Sequence, residues 1–206
     1  MLIAEHFILI ATDPNTGLPA WPRQSQRAEP LAAAALLLEL AALQRLSLRD
    51  AQLHADATLP LSNQLLNEAL REVAMHPVSA HSAVRLVERR LGRVTQKLMD
   101  GLFQRDILHR TASRWLPWPR MRYPLRSAQA RNEAVLHLQR AAAESDDMHG
   151  LALLVLVDVV GLLPAHFKAR EHEAAMQRLL ALSQVDAQRN ETRKVIAALR
   201  AALLVD

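Results

Sequence analysis

Basic side chains recur at helical spacing near the middle of the chain. The cations of this stretch are Arg85, Arg89, Arg90, Arg93 and Lys97. Residues four apart line one face of a helix, and several guanidinium groups on one face can hold a phosphate through paired hydrogen bonds. The spacing predicts an anion-binding site that includes Arg89, Arg90 and Arg93. The alternative is a solvated charged face with Glu88 and Asp100 as partial partners.

A second group of candidate residues is aromatic and basic. Residues 107–125 contain two Trp, one Tyr and three Pro, a composition typical of an extended hairpin. The candidates within it are Arg114, Trp115, Leu116, Trp118 and Arg120, followed by Tyr123. Trp and Tyr favour the bilayer interface, and flanking Arg attract anionic headgroups. The hairpin therefore either contacts a membrane or packs its rings in the core or in a homo-oligomer interface.

The residues that catalysis or metal binding would need are poorly arranged. The chain has nine His and no Cys, and His166 and His172 lie near Glu171 and Glu173 without the His-Glu-x-x-His spacing of zinc enzymes. Neither a glycine-rich phosphate loop nor a Gly-x-Ser-x-Gly motif is present. We expect no enzymatic activity, no metal and no cofactor. Asp158, inside an apolar segment, is expected to be a hydrogen-bonded core residue.

Composition and charge bound the class of partner. The 206 residues are 50% hydrophobic, enough for a substantial core, and 25 Lys and Arg against 21 Asp and Glu give a net charge of +4. A basic excess favours an anionic partner, either phospholipid or nucleic acid. The Arg-rich helix and a pI of about 10.3 suit a nucleic-acid-binding helical protein. That alternative is the weaker one, because we find no convincing helix-turn-helix and only 3% aromatic residues.

The N-terminal residues and the longest apolar run bear on the cellular compartment of the protein. The first residues lack a basic segment and a cleavage site, which disfavours secretion. The longest apolar run, 151–163, is interrupted by Asp158 and is shorter than the roughly 20 residues of a membrane span. We expect a cytoplasmic protein in which this run is a buried helix.

The elements that must position these residues are nearly all helices. Residues 31–46 are rich in Ala and Leu and predict a helix apolar on almost every side, which belongs in the centre of the fold. Further helices are expected over 62–75, 79–104 with a break near Gly92, 127–143, 148–163, 165–182 and 191–203. A short hairpin is expected at 46–54. The sequence predicts one all-α domain over 1–206, a compact helical bundle around an apolar central helix with one or two short β-hairpins.

Four stretches, in order, resemble the Golgi phosphoprotein 3 family. They are 37–48, 61–70, 98–108 with 119–125, and 150–167. The last resembles the apolar central helix of that family. The resemblance implies an all-α domain with a small hairpin, no enzymatic activity, and reversible peripheral binding to phosphatidylinositol 4-phosphate on the cytoplasmic side of a membrane. The Ala-rich, Arg-over-Lys composition without Cys is typical of a bacterial homologue.

The family resemblance also suggests a headgroup site in the first loop. The family uses a Trp there, and Trp21 stands in the corresponding loop, followed by Arg23 and Arg27. These three residues join the candidate headgroup-binding set, with a loop packed on the core as the alternative. The implied partners are anionic membrane lipids and protein clients, with a homo-oligomer formed through the hairpin as a further expectation.

The sequence departs from the family pattern at the other headgroup positions. An Arg early in the next helix corresponds to Ala33, and two later Arg correspond to Gly92 and Thr95. Arg90 and Arg93 keep the three-residue spacing two positions upstream, which on a helix is a rotation of about 200°. The resemblance therefore supports binding to an anionic headgroup more strongly than it supports binding to an inositol phosphate in particular.

Overall fold

The computed structural model describes residues 1–20, 28–112, 121–143, 146–182, 184 and 190–205. Within them lie ten helices and two small antiparallel hairpins, which confirms the all-α fold class. The helices are α1 (Ile3–Ala11), α2 (Ala28–Ala42), α3 (Gln64–Met75), α4 (Ala80–Leu91), α5 (Val94–Gln104), α6 (Ala128–Ala143), α7 (Met148–Val159), α8 (Leu163–His166), α9 (Ala169–Ala181) and α10 (Glu191–Leu204). The strands are β1 (Leu46–Arg49), β2 (Gln52–Ala55), β3 (Thr111–Ala112) and β4 (Met121–Arg122).

Two helices with almost no polar face form the centre of the molecule. Nearly every residue of α2 and of α7 is buried, because both sequences are runs of Ala, Leu and Val. Helix α2 packs against α1, α3, α4, α5, α7 and α10, and α7 packs against α1, α6, α9 and α10 as well. The expected central apolar helices are therefore present. Among the described residues, no helix is both long and apolar enough to span a bilayer.

The predicted helix over 31–46 ends earlier than expected. The N–H of Gln44 donates to the carbonyl of Ala41, and that of Arg45 donates to Leu40. This pair of bonds is a Schellman motif, and Gln44 takes the left-handed φ of 57° that the motif requires. Leu46 consequently begins strand β1 rather than ending a helix.

The first hairpin and the helix after it follow the sequence prediction. Strands β1 and β2 pair across a two-residue turn of Asp50 and Ala51, both with positive φ, as a type I′ turn requires. The Asn63 side chain accepts a hydrogen bond from the N–H of Leu66 and caps α3. His76 ends that helix.

The apolar run near residue 160 divides where the sequence suggested continuous helices. Helix α7 ends at Val159, because Gly161 with φ of 76° closes another Schellman motif, and its N–H donates to Asp158. The predicted helix over 165–182 is instead α8 and α9, separated by Phe167, which is extended and buried. Asp158 accepts a 2.8 Å hydrogen bond from Arg200, which confirms a hydrogen-bonded residue at the edge of the core.

Candidate functional site

Three of the predicted site residues fall within the described part of the chain. They are Arg89, Arg90 and Arg93. The others lie outside the described residues: Trp21, Arg23 and Arg27 in the first loop, and Arg114, Trp115, Leu116, Trp118 and Arg120 in the second hairpin. The residues on either side of both segments are described, and their contacts show where each segment leaves and rejoins the fold.

The basic residues lie at a corner between two helices. Arg89 and Arg90 are exposed in the last turn of α4, where positive charge interacts favourably with the helix dipole. Gly92 and Arg93 then both have positive φ, 53° and 49°, so the chain turns before α5 begins. Arg93 is exposed at the start of α5. The helical spacing of the basic residues predicted that Arg85, Arg89 and Arg93 share one helix face, and this is wrong, because α4 ends before Arg93.

Two cations at this corner face carboxylates of α3. The Nε of Arg90 lies 3.6 Å from Glu72, and the Nζ of Lys97 lies 3.9 Å from Glu68. Lys97 also donates a 2.8 Å hydrogen bond to the carbonyl of Leu91 at the end of α4. Residues Glu68 and Glu72 were missed at the sequence level, although two acids four residues apart on the preceding amphipathic helix were a usable signal.

The other cations of α4 have different partners. Arg85 lies 3.3 Å from Glu88, the carboxylate expected for this face. The Nε of Arg89 donates to the carbonyl of Arg85. Among the described residues, no carboxylate lies within ion-pair distance of Arg89 or Arg93, so these two carry the positive charge available at the corner.

The first loop packs directly against the second hairpin. The N–H of Leu125 donates a 2.8 Å hydrogen bond to Pro14 in the loop. Gly17 has φ of 66°, and a Cβ there would clash with the backbone of Tyr123. Asp13 closes the turn of this loop. Its carboxylate accepts a hydrogen bond from the backbone N–H of Thr16, and this bond lowers the pKa of Asp13. The described residues just before the Trp21 segment and those just after the Trp118 segment therefore have adjacent backbones.

The base of the hairpin packs on helix α5. The hydroxyl of Tyr123 donates a 2.8 Å hydrogen bond to Asp100, and burial together with this carboxylate raises the Tyr123 pKa to about 12. The Arg110 guanidinium lies 5.0 Å from the centre of the Phe103 ring, a cation–π contact. Tyr123 is only 4% exposed. Its grouping with interfacial aromatics was wrong, because its ring fills the core and its hydroxyl holds α5.

The start of α2, which follows the first loop, also reaches α5. Glu29, in the first turn of α2, accepts a 3.4 Å hydrogen bond from the backbone N–H of Thr95. A narrow apolar cavity lies beside this contact, lined by residues from both ends of the loop, from α1 and from α5: Phe7, Ile8, Pro19, Ala28, Thr95 and Met99. Glu29 was also missed, because its partner is 66 residues away in the sequence.

Helix α5 is thus the common support of all three predicted groups. Arg93 stands at its start, Glu29 of α2, the helix after the first loop, contacts it at Thr95, and the hairpin contacts it at Asp100 and Phe103. An 11-residue helix is about 16 Å long. Two partly exposed apolar side chains, Leu18 of the loop and Met121 of β4, flank the two segments.

These features define a class of protein: a helical domain in which a basic corner, the first loop and the second hairpin lie beside one helix, α5. The chain belongs to the Golgi phosphoprotein 3 family, because the family model described as Golgi phosphoprotein 3 (GPP34) matches residues 3–206. The resemblance seen in the sequence is confirmed. The family is one of non-enzymatic adaptors that associate with membrane lipids and proteins. A search of the curated proteins found no match.

Proposed function

We propose that this protein is a cytoplasmic peripheral membrane adaptor that binds anionic phospholipid headgroups. The observation that supports this function best is the convergence on α5. Arg89 of α4 and Arg93, which have no carboxylate partner among the described residues, stand at the corner where this helix begins, and the described residues beside the two Trp-bearing segments contact it along its length. Such a surface combines charge with apolar groups, as a protein that docks on a bilayer requires.

The two kinds of side chain have different tasks in this proposal. Arg89 and Arg93 contact lipid phosphates and bring the protein to the surface. A basic residue near an anionic membrane contributes about 1 kcal/mol, so two of them give about 2 kcal/mol, which alone holds the protein weakly. Trp21, Trp115 and Trp118 insert their rings at the headgroup level and prolong residence. Protein clients then bind to the membrane-docked molecule.

Vesicle flotation tests the proposal. Wild-type protein at low salt should float with vesicles of phosphatidylcholine and phosphatidylglycerol, remain behind with pure phosphatidylcholine, and dissociate as salt is raised. Failure to float with the anionic vesicles at low salt rejects the function. A salt-dependent mobility shift with duplex DNA, together with that failure, would favour the nucleic-acid alternative.

The contribution of the hairpin is tested by Trp115→Ala with Trp118→Ala. Loss of two interfacial rings should weaken flotation at fixed lipid charge, by tenfold or more if both rings enter the bilayer, since burying roughly 100 Å² of each ring at about 25 cal/mol per Å² contributes more than about 1 kcal/mol. The control is Leu136→Ala with Leu180→Ala, which removes exposed apolar groups from α6 and α9. Equal effects of the two pairs would argue against a specific role of the hairpin.

A further inference from the structure

We infer that Asp100 is a positioning residue for membrane docking, because it fixes the base of the second hairpin to the face of α5 that carries cations. This inference rests on the proposed function and specifies how its charged and aromatic parts act together. The hairpin base consists of the described residues on the two sides of the Trp-bearing segment, 108–112 and 121–125. Asp100 acts through these residues and not through contact with lipid.

Helical periodicity places Asp100 on the same face of α5 as the cations at its start. Residues three, four and seven apart lie on one face of an α-helix, and Arg93, Lys97 and Asp100 have this spacing. Leu98 and Leu102, on the opposite face, are buried. The hairpin therefore contacts α5 on its cationic face, about 10 Å along the helix axis from Arg93.

Asp100 contacts both sides of the hairpin base. The hydroxyl of Tyr123, just after β4, donates a 2.8 Å hydrogen bond to its Oδ1 atom. The guanidinium of Arg110, just before β3, lies 3.9 Å from the same oxygen and stacks on Phe103, one turn farther along α5. Because β3 and β4 also pair with each other, one carboxylate fixes both strands to the helix.

The two contacts of Asp100 differ in strength. Tyr123 is buried, and burial together with the carboxylate raises its pKa to about 12, so the hydroxyl keeps its proton at neutral pH. A hydrogen bond to a charged acceptor favours the bonded state by about tenfold. The ion pair with Arg110 is long and partly exposed, so it contributes little. The hydrogen bond to Tyr123 is therefore the contact that sets the orientation of the hairpin.

A fixed hairpin base lets the cations and the hairpin engage one bilayer at the same time. Two binding elements on one support strengthen attachment only when the geometry permits both to engage. Without the hydrogen bond to Tyr123, the protein still reaches anionic vesicles through Arg89 and Arg93, but the hairpin enters the bilayer less often.

Quenching of tryptophan fluorescence by brominated lipid tests the inference. The three Trp of the chain are Trp21, Trp115 and Trp118, and two of them belong to the hairpin. Vesicles of phosphatidylglycerol and brominated phosphatidylcholine quench rings that enter the bilayer, and flotation gives the bound fraction. Asp100→Ala and Tyr123→Phe should bind at low salt with quenching per bound molecule reduced by about twofold or more, because the tenfold preference for the bonded state is lost.

Two further variants control for charge. Asp100→Asn removes the same charge as Asp100→Ala but keeps an oxygen acceptor for Tyr123, so it should retain wild-type quenching. Asp106→Asn removes this charge from an exposed ion pair with Arg126, and Asn tolerates the φ of 60° there. It should also behave as wild type. Thermal unfolding of each variant is measured in parallel, since a merely structural role of Asp100 would lower stability without changing the quenching per bound molecule.

The outcomes separate this inference from the function on which it rests. Wild-type quenching in folded, vesicle-bound Asp100→Ala and Tyr123→Phe would overturn the inference and leave membrane docking intact. Equal losses in Asp100→Asn and Asp100→Ala would also overturn it, because the orientation would then not depend on the hydrogen bond. Wild-type binding without any quenching would overturn it and leave headgroup binding intact. Absence of wild-type binding to the anionic vesicles would reject the proposed function and the inference with it.

Discussion

At the scale of single residues, His6 couples the fold to pH. Its imidazole is partly buried in α1, and its ring centre lies 5.1 Å from that of His137. Burial first, and the His137 charge second, lower the His6 pKa from its usual 6.5 to about 4, although Glu39 and Glu133 oppose the shift. Between these two pH values His6 is therefore neutral in the folded protein and protonated in the unfolded chain.

We expect stability to fall as pH decreases from about 6.5 to about 4. The shift corresponds to at most about 3 kcal/mol, and solvent screening of the partly exposed ring reduces this to about 1 kcal/mol. His6→Gln should flatten the pH dependence of urea unfolding in this window. The control His81→Gln, at an exposed position of α4, should retain the wild-type slope. Equal slopes in His6→Gln and wild type would contradict the assignment.

Glu39 and His149 form a residue pair with the opposite pH dependence. Glu39 is 5% exposed, accepts the N–H of Ile3 and lies 3.3 Å from the Nε2 of His149. The hydrogen bond to Glu39 raises the pKa of His149 despite its partial burial. Because the folded pKa is raised, this pair stabilises the protein fully below pH 6.5 and loses its effect as pH rises through the folded value. It therefore partly offsets the acid sensitivity caused by His6.

At the scale of elements, the contact between first loop and hairpin depends on a glycine. Gly17→Ala would place a methyl group against the Tyr123 backbone at a φ of 66°. It should lower the free energy of unfolding by more than about 1 kcal/mol, because both the left-handed backbone and the close approach exclude a side chain. Urea denaturation measures the change.

The matched control is a glycine in a helix. Gly101→Ala lies within α5, where the added Cβ meets no atom within 4 Å. It should be neutral or stabilising by up to about 1 kcal/mol, because Ala is the better helix former. Comparable destabilisation by both substitutions would show that the loop–hairpin contact has no special importance.

The elements also show what local sequence could predict. The short hairpin over 46–54, the helix over 62–75 and the break near Gly92 follow from residue types a few positions apart, and all three were predicted correctly or nearly so. The division of 165–182 was not, because the buried Phe167 is set by distant packing. Similarly, spacing identified the basic residues of the site but not the carboxylate of Glu29, which meets the backbone of Thr95 only through the tertiary fold.

At the scale of the whole molecule, the basic corner should set the electrostatic part of membrane binding. Arg89→Glu with Arg93→Glu should weaken flotation with anionic vesicles at low salt by about tenfold or more, since each basic residue contributes about 1 kcal/mol. The difference from wild type should shrink at high salt, because screening removes the same term.

The control for this variant reverses two cations elsewhere. Lys168→Glu with Arg170→Glu changes the net charge equally at the exposed start of α9, where acidic residues suit the helix dipole. If both variants lose binding to the same extent, net charge rather than the corner governs attraction. If neither loses binding, the corner does not face the membrane.

The turn between α4 and α5 permits a separation-of-function variant. Arg93 adopts a backbone conformation with φ of 49°, which strains most residues other than glycine by about 1–2 kcal/mol. Arg93→Gly should therefore unfold at higher temperature than wild type while it partitions less onto anionic vesicles. Arg93 therefore lowers the thermal stability slightly, because its backbone conformation favours glycine, and it places a positive charge at the corner between α4 and α5.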